Sequence, residues 1–156
     1  AIIKPLLIGK RIPEMFLTDP SGKLLTTASI QANYTILFIY DPDCSHCKEE
    51  TPKLLKQDAY FKSKNIAVLA ACLVRDKVMW KKFIEEFKIQ NWKNGIDIHI
   101  NAKTGKEEYY TDFQKTFDAY ATPVVYILDK SKHIIGKRIP VDKIQDFLKF
   151  YESKRK

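Results

Sequence analysis

Residues Tyr34–Cys47 read YTILFIYDPDCSHC, and this stretch decides the fold that the sequence predicts. Its first part, Tyr34–Tyr40, is mostly β-branched and aromatic without strict polar alternation, which is typical of a strand buried on both faces. Asp41–Asp43 contains a proline and breaks the strand, and a helical pattern begins at about Cys44. The cysteine pair Cys44 and Cys47 therefore stands at the start of a helix that follows a buried strand.

The start of a helix is a favourable place for a reactive thiol. Backbone N–H groups in the first turn have no partner within the helix, and the helix dipole places partial positive charge there. We therefore expect the pKa of Cys44 to lie below the free-thiol value of about 8.5. Cys47 lies one turn further in, close enough to close a disulfide ring, and is expected to be less exposed. An imidazolium at His46 would favour the Cys44 thiolate and give a less reducing disulfide than a Gly-Pro pair between the cysteines.

Two other interpretations of the cysteine pair remain open. It could be half of a zinc site, although there is no second cysteine pair and the three histidines, His46, His99 and His133, are dispersed. It could be an inert structural disulfide, although such pairs rarely stand at a helix start. Redox chemistry is the favoured interpretation. Cys72 falls in an apolar strand and is expected to be a packed thiol, with an auxiliary redox thiol as the alternative.

Length and composition limit the class of protein. The 156 residues predict one domain spanning residues 1–156, and 45% hydrophobic with 12% aromatic residues exclude a disordered chain. The longest apolar runs, Tyr34–Tyr40 and Ile66–Val74, are far shorter than a membrane span, so no transmembrane segment is expected. Ala1–Pro5 lacks the apolar stretch of a signal peptide, and a start at alanine suggests a processed or trimmed chain.

The positive charge does not by itself indicate nucleic-acid binding. Lys and Arg number 27 against 19 Asp and Glu, a net charge of +8. The lysines are scattered, and the one basic run is Lys154–Lys156. No zinc-finger spacing, RNA-recognition signature or glycine-rich phosphate loop accompanies them. A solvated basic surface is the favoured interpretation, so no nucleic-acid partner is expected.

Patterns outside the cysteine stretch predict a mixed α/β order. Turn-forming residues 19–23 separate two short runs, which indicates a β-hairpin with strands at Met15–Thr18 and Leu24–Thr26. Gly95–Thr111 has mixed polarity and is expected to be irregular. The other predicted elements are a helix over Cys44–Lys64 with Leu54, Leu55, Ala59 and Phe61 on its buried face, a strand at Ile66–Leu73, a helix capped by Asp76 and ending at Phe87, a short helix at Asp112–Tyr120, strands at Val124–Leu128 and His133–Ile139, and a helix at Val141–Tyr151. This order predicts an α/β sandwich around a mixed sheet.

With this strand–CSHC–helix unit, the chain resembles the thioredoxin superfamily and looks most like the TlpA/ResA-type thiol–disulfide oxidoreductases of the AhpC/TSA–redoxin group. Pro52, eight residues after the first cysteine, matches the proline that bends the active-site helix. Glu50 matches a carboxylate three residues past the second cysteine. Thr122 and Pro123, directly before a strand, match the cis-proline segment that faces the dithiol. The resemblance runs over Gly9–Glu152.

The resemblance implies a fold and a set of domain features. The fold would be a thioredoxin-like three-layer sandwich with a central mixed β-sheet and an added N-terminal β-hairpin. The hairpin extension would occupy residues 9–33, and an irregular insertion would occupy residues 91–111. The chain is expected to be a monomer.

The resemblance also implies roles for individual residues. Cys44 would attack a substrate disulfide and Cys47 would resolve the mixed disulfide, without a metal or cofactor. Glu50 would accept a proton from Cys47, and His46 would tune the thiolate. The residues implied to face the substrate are Ser45, Thr122 and Pro123.

The sequence departs from the family pattern at several positions. Asp43 replaces the tryptophan that often precedes the first cysteine, and its charge would oppose the thiolate. The strand Tyr34–Tyr40 has no carboxylate, which leaves Glu50 as the acid–base candidate. Leu37 and Asp41 stand where a thiol peroxidase would carry proline and threonine, which argues against that activity.

The predicted function is dithiol–disulfide exchange with disulfide- or dithiol-containing protein substrates, as a reductase or isomerase. By resemblance, the protein would work in a bacterial cell envelope, in the periplasm, and would be recharged by an upstream thiol–disulfide partner. Two alternatives remain: a protein-binding or chaperone module whose dithiol is incidental, and a thiol peroxidase.

Overall fold

A seven-stranded mixed sheet organises the chain, and helices cover one of its faces. The structure is a computed structural model, and it describes residues 6–109 and 113–155. In chain order its elements are β1 (Phe16–Thr18), β2 (Leu24–Thr26), β3 (Tyr34–Tyr40), α1 (Ser45–Leu55), α2 (Asp58–Ser63), β4 (Ile66–Cys72), α3 (Lys77–Phe87), β5 (Lys93–Ile96), β6 (His99–Ile100), β7 (Glu107–Glu108), α4 (Phe113–Thr116), β8 (Val124–Leu128), β9 (Ile134–Lys137) and α5 (Ile144–Lys154). Within the described ranges, none of these helices has the length and apolar character needed to cross a membrane.

The strand order places three parallel strands at the centre of the sheet. The order is β2-β1-β5-β4-β3-β8-β9, with β3, β4 and β5 parallel and the outer neighbours antiparallel. In the register, Tyr40 of β3 is paired with Cys72 of β4, which is paired in turn with Ile96 of β5. The carboxyl ends of the parallel strands therefore meet at one edge, where α1 begins. The mixed α/β sheet expected from the sequence is confirmed.

Alternating side chains of the central strands build a core on each face of the sheet. On one face, Ile36, Phe38 and Tyr40 pack with residues of α1, α2, α3 and α5. On the other, Leu37 and Ile39 pack under other parts of the chain. The residues that cover this second face come from the N-terminal segment, β1 and the turn after α4: Leu6, Ile12, Met15, Leu17, Phe117 and Ala119. The sheet is thus the middle of three layers, and the third layer is largely non-helical.

Elements with long apolar runs or a clear cap agree with the sequence-based expectations. The N-terminal hairpin forms, and β3 and β8 have the predicted bounds, while β4 ends one residue earlier at Cys72. Asp76 caps α3, because its carboxylate accepts a hydrogen bond from the Met79 backbone N–H at 3.0 Å. Such a cap satisfies a helix donor that has no intrahelical partner.

The predicted helix Cys44–Lys64 is wrong as a single element, because the chain turns between α1 and α2. Gln57 holds this turn: its side-chain amide donates to the Val141 carbonyl at 2.8 Å. Asp58, the first residue of α2, accepts a hydrogen bond from the Trp92 indole at 3.0 Å. Ala59, placed on the buried face by a continuous helical pattern, is exposed. Contacts distant in sequence therefore set this break.

The segment predicted to be irregular contains three short strands. β5 joins the central sheet, although its sequence KNGI has little strand character. Its buried Asn94 side chain donates to the carbonyls of Ile89 and Trp92, at 2.8 and 3.2 Å. β6 and β7 then form a separate hairpin. β5 can bury Asn94 because local carbonyls accept its hydrogen bonds. A search for apolar runs in the sequence therefore does not predict this strand.

The last third of the chain shows smaller differences. The helix predicted at Asp112–Tyr120 is only α4 in the described part, and Asp112, like residues 110 and 111 of the irregular segment, lies outside the described residues. β9 is shorter than the predicted His133–Ile139. The terminal helix opens with a 3₁₀ turn at Val141–Lys143 and extends past Tyr151.

Gly95 tests the contact between β5 and β1. A Cβ atom on Gly95 would lie 2.6 Å from both Cβ and Cδ1 of Leu17, whose side chain is fully buried. We expect Gly95→Ala to lower the free energy of unfolding by about 1–3 kcal/mol, because β1 must shift to relieve the overlap. Lys93→Ala, at an exposed position of the same strand, should change it by less than about 0.5 kcal/mol. Equal urea-denaturation midpoints for Gly95→Ala and the parent protein would contradict this packing.

Candidate active site

Cys44 is the N-cap residue of α1, directly after the loop that leaves β3. Its backbone N–H donates to the Asp41 carbonyl at 3.1 Å, which fixes the turn before the helix. Its sulfur accepts a hydrogen bond from the Cys47 backbone N–H at 3.3 Å. Cys44 is half-buried and Cys47 is fully buried, and both are free thiols. The exposure order is the one that the sequence predicts.

The segment before β8 supplies the second side of the site. The Thr122–Pro123 peptide bond is cis, which confirms the conformation expected from the resemblance. The Cys44 thiol donates a hydrogen bond to the Thr122 carbonyl at 3.6 Å. β8 lies next to β3 in the sheet, so two neighbouring strands bring Thr122 and the dithiol together.

Hydrogen bonds decide the ionisation of Cys44. Burial opposes the thiolate, but a hydrogen bond from the Thr122 side chain and the backbone N–H groups of Cys47 and His46 outweigh it, so the pKa of Cys44 falls below its ordinary value. Donors that bond the charged form favour that form. The half-exposed thiol is therefore the one that ionises more readily.

Cys47 has the opposite character. Burial raises the pKa of Cys47 to about 12, and the neighbouring Cys44 adds to this increase. A backbone hydrogen bond with Asp41 and a side-chain hydrogen bond with Thr122 act in the other direction without cancelling it. One helical turn thus carries a thiol that favours ionisation and a thiol that resists it.

His46 contributes through its backbone. Its side chain is 62% exposed, and its Nδ1 lies 3.8 Å from Glu49 Oε2. Its effect on the pKa of Cys44 comes from its backbone N–H. Every residue except proline supplies a backbone N–H at this position, whatever its side chain. The stabilisation of the Cys44 thiolate by the His46 imidazolium, expected from the sequence, is therefore a separate effect with a test of its own.

Glu50 lies one turn after Cys47 and is mostly buried. Its Oε2 lies 2.9 Å from Lys53 Nζ, so the carboxylate is part of an ion pair.

α1 continues through Pro52 and ends at Leu55. Ser45 and Asp43 are both exposed beside the cysteine pair.

Cys72 is packed inside the protein. It is fully buried at the end of β4, and its thiol donates to the Val74 carbonyl at 3.3 Å. Burial raises the pKa of Cys72, and the nearby carboxylates of Asp41 and Asp76 raise it further. These contacts agree with the packed thiol expected from the sequence.

The structure adds a group that the sequence did not single out, the Tyr40 side chain. It is fully buried at the end of β3 and shares a core with Cys47 and Cys72. The signal available in the sequence was the alternation along β3, which puts residues 36, 38 and 40 on the face that α1 covers.

The β6–β7 hairpin stands at the same edge of the sheet as the dithiol. Arg75, just after β4, lies 2.9 Å from the buried carboxylate of Asp97, just after β5. The Arg75 guanidinium also lies 3.8 Å from the ring centre of Tyr109, which follows the hairpin. These contacts fix the hairpin beside the ends of the parallel strands.

In the part of the chain that the structure describes, no group of three or more His, Cys, Asp or Glu side chains is arranged to hold a metal ion.

Comparisons with known proteins agree with this geometry. The model of the AhpC/TSA family matches residues 8–137. A domain of a possible thiol-disulfide isomerase from Cytophaga hutchinsonii is 43% identical, with a TM-score of 0.85 and coverage of 97% of each chain. A comparison with curated proteins gave no match.

More distant solved structures share the fold. The thioredoxin domain of a thiol-disulfide oxidoreductase from Bacteroides vulgatus is 22% identical, has a TM-score of 0.77 and covers 94% of this chain and 98% of its own. A thiol:disulfide interchange protein from a Bacteroides species is 23% identical, has a TM-score of 0.76 and covers 94% of this chain and 90% of its own. The architecture is therefore thioredoxin-like.

The two cysteines should differ in their reaction with iodoacetamide. We expect Cys44 of the reduced protein to be alkylated with a rate that rises through a midpoint below about 8.5, since the thiolate is the nucleophile. Cys47 and Cys72 should remain unmodified at pH 8, because burial raises their pKa values. Peptide mass mapping after timed alkylation measures all three.

Cys44→Ser is the control and should abolish the fast alkylation. Modification of Cys47 as fast as Cys44, or a midpoint for Cys44 above the free-thiol value, would contradict these assignments.

Proposed function

The chain belongs to the AhpC/TSA family and is a thiol–disulfide oxidoreductase, and we propose that Cys44 and Cys47 carry this activity on protein or peptide substrates. The observation that carries the proposal is the asymmetry of the pair. Cys44 is half-exposed with a lowered pKa, and Cys47 is fully buried one turn away with a raised one. The first suits attack on an incoming disulfide, and the second suits resolution from within.

In the reductive direction, the Cys44 thiolate attacks one sulfur of a substrate disulfide. A Cys44–substrate bond forms, and the other substrate sulfur leaves with the electron pair of the broken bond. Cys47 then loses its proton and attacks Cys44. The Cys44–Cys47 disulfide forms and the second substrate sulfur leaves as a thiolate, so the substrate gains two electrons and the protein loses two. The reverse sequence oxidises a substrate dithiol.

Thr122 is proposed to contact the substrate backbone. In the reduced protein its carbonyl accepts a hydrogen bond from the Cys44 thiol. When Cys44 has no proton, this carbonyl can accept an N–H from an extended substrate segment lying beside it. Pro123 would border the same segment, and the exposed Ser45 would lie on its other side.

Glu50 is proposed to accept the Cys47 proton. It lies three residues further along α1, on the same side of the helix. Lys53 Nζ, 2.9 Å from Glu50 Oε2, would hold the carboxylate in place on α1.

The cellular setting is a further part of the proposal. The exchange uses two thiols and a substrate disulfide, so it requires no cofactor. Disulfide chemistry of this kind suits an oxidising compartment, and we place the protein in a bacterial cell envelope, in the periplasm. An upstream thiol–disulfide protein would return the pair to its working redox state, and its identity would decide between reductase and isomerase.

Single-cysteine variants test the proposed roles. We expect reduced Cys47→Ser to accumulate a mixed disulfide with insulin, because Cys44 attacks and no thiol resolves the product. Cys44→Ser should form none. Both variants should lose more than about 90% of insulin reduction by dithiothreitol, since turnover requires both steps. Non-reducing electrophoresis with mass spectrometry detects the adduct.

Cys72→Ala is the matched control and should retain the parent rate within about twofold, because its thiol is buried away from solvent. Retained reduction by Cys44→Ser together with its loss in Cys47→Ser would reverse the assignment.

Two substitutions at His46 separate its backbone from its imidazole. His46→Pro removes the N–H that favours the Cys44 thiolate, and a proline is tolerated in the first helical turn. The reduced form then loses stabilisation, so the reduction potential should fall by on the order of 30 mV. His46→Gln keeps the N–H and should change it by less than about 10 mV.

Redox titration against glutathione measures both variants. An equal fall in His46→Gln would assign the effect to the imidazolium charge, and an unchanged potential in His46→Pro would remove the role of this N–H.

A further inference from the structure

A buried tyrosine lies in the core beneath the cysteine pair. Tyr40 and Cys72 occupy paired positions on the adjacent strands β3 and β4, and both side chains belong to the core on the helix-covered face. Cys47 of α1 and Trp80 of α3 belong to the same core. Sheet and helices thus enclose one phenol, one indole and two thiols.

Among the described residues, the Tyr40 hydroxyl has no acceptor of ordinary geometry for its proton, and the Trp80 indole N–H acts on it as a donor. Both Tyr40 and Trp80 are fully buried, so neither side chain can bond to solvent instead. A buried hydroxyl whose proton has no acceptor costs free energy relative to a phenylalanine of the same shape. The hydroxyl is therefore not explained by the stability of the reduced protein.

Aromatic packing fixes the position of this hydroxyl. The Tyr40 ring stacks on Phe38, with centroids 5.7 Å apart and planes at 20°. It also packs against Phe83 of α3, with centroids 4.7 Å apart. A ring held between β3 and α3 cannot carry its hydroxyl out to solvent, so any partner has to arise inside the core.

The phenol stays protonated and can only act as a donor towards sulfur. Burial raises the pKa of Tyr40 well above its ordinary value, and Cys72 and Cys47 raise it further, while a hydrogen bond with Trp80 acts in the other direction without cancelling the increase. Tyr40 is paired with Cys72 across β3 and β4, and Cys47 is buried in the same core. The ionisable groups around Cys47 are Cys44 and Glu50 on its own helix, Tyr40 and Asp41 at the end of β3, and Cys72 on β4, with Asp76 acting on Cys72 from the start of α3.

The resolving step requires Cys47 as a thiolate, and burial in this core disfavours that charged form. Because burial raises the pKa of Cys47 to about 12, very little of it is ionised at neutral pH. Cys72 does not supply a donor, because its thiol already bonds to the Val74 carbonyl. The Tyr40 hydroxyl is a donor in the same core, and the described residues offer it no acceptor of ordinary geometry.

We propose that the Tyr40 hydroxyl donates a hydrogen bond to the Cys47 sulfur as that sulfur becomes a thiolate, and so promotes the resolving step. This inference rests on the proposed roles of Cys44 and Cys47. The Cys47 proton goes to solvent or to Glu50, and the phenol keeps its own hydrogen. The Cys47–Cys44 bond forms, the Cys44–substrate bond breaks, and the substrate sulfur leaves with the electron pair.

The test is stopped-flow reaction of the reduced protein with one equivalent of 5,5′-dithiobis(2-nitrobenzoate). Attack by Cys44 releases the first nitrothiobenzoate, and attack by Cys47 on the mixed disulfide releases the second. In Tyr40→Phe we expect an unchanged first phase and a second phase slowed roughly tenfold at pH 7. The pH profile of the second phase should shift upward by about one unit.

Tyr126→Phe is the matched control. Tyr126 is equally buried on the opposite face of the sheet, where its hydroxyl donates to the Phe117 carbonyl at 2.6 Å. This variant should lower Tm and leave both phases unchanged. Tyr40→Phe should lower Tm less than Tyr126→Phe does, because the Tyr40 hydroxyl proton has no acceptor of ordinary geometry among the described residues.

The outcomes separate the two proposals. A second phase within twofold of the parent in Tyr40→Phe, or equal slowing of both phases, would overturn the role of Tyr40 alone. Disappearance of the effect in a Cys72→Ala background would show that the hydroxyl acts through Cys72 and would also overturn it. Release of a single nitrothiobenzoate by the parent protein would contradict the dithiol mechanism itself, and the role of Tyr40 with it.

Discussion

The hydrogen bond from the Cys47 backbone N–H to the Cys44 sulfur is the interaction on which the site depends. It makes a cysteine the cap of α1 at the point where β3 ends. A capping atom must lie outside the helix and accept from its first turn, so the sulfur is held where N–H donors converge. The same geometry leaves Cys44 half-exposed and turns Cys47 into the core.

The different burial of Cys44 and Cys47 then makes two chemically identical thiols ionise differently. Hydrogen bonds lower the pKa of Cys44 despite partial burial, whereas full burial raises that of Cys47. With the roles proposed for the two cysteines, attack on a substrate would take place at the surface, and the resolving step would need a group inside the core that stabilises the Cys47 thiolate. The sheet register supplies the groups available for that help, because it sets Tyr40 and Cys72 side by side beneath α1.

The sequence predicted what local patterns control. The buried strands β3 and β4 and the helix start at Cys44 were all visible there, and the resemblance added the cis Thr122–Pro123 bond. It did not predict what distant contacts control. β5 is held by Asn94 and by Leu17 packing over Gly95, and the break before α2 depends on Trp92 meeting Asp58.

The unequal ionisation of the two cysteines is the central claim, and an NMR pH titration of protein labelled with ¹³C at cysteine Cβ tests it most directly. With three cysteines in the chain, single serine variants assign each resonance. We predict that the Cys44 resonance titrates below the ordinary thiol range, while those of Cys47 and Cys72 do not change up to about pH 10. A Cys47 resonance that titrates together with Cys44, or before it, would contradict the account.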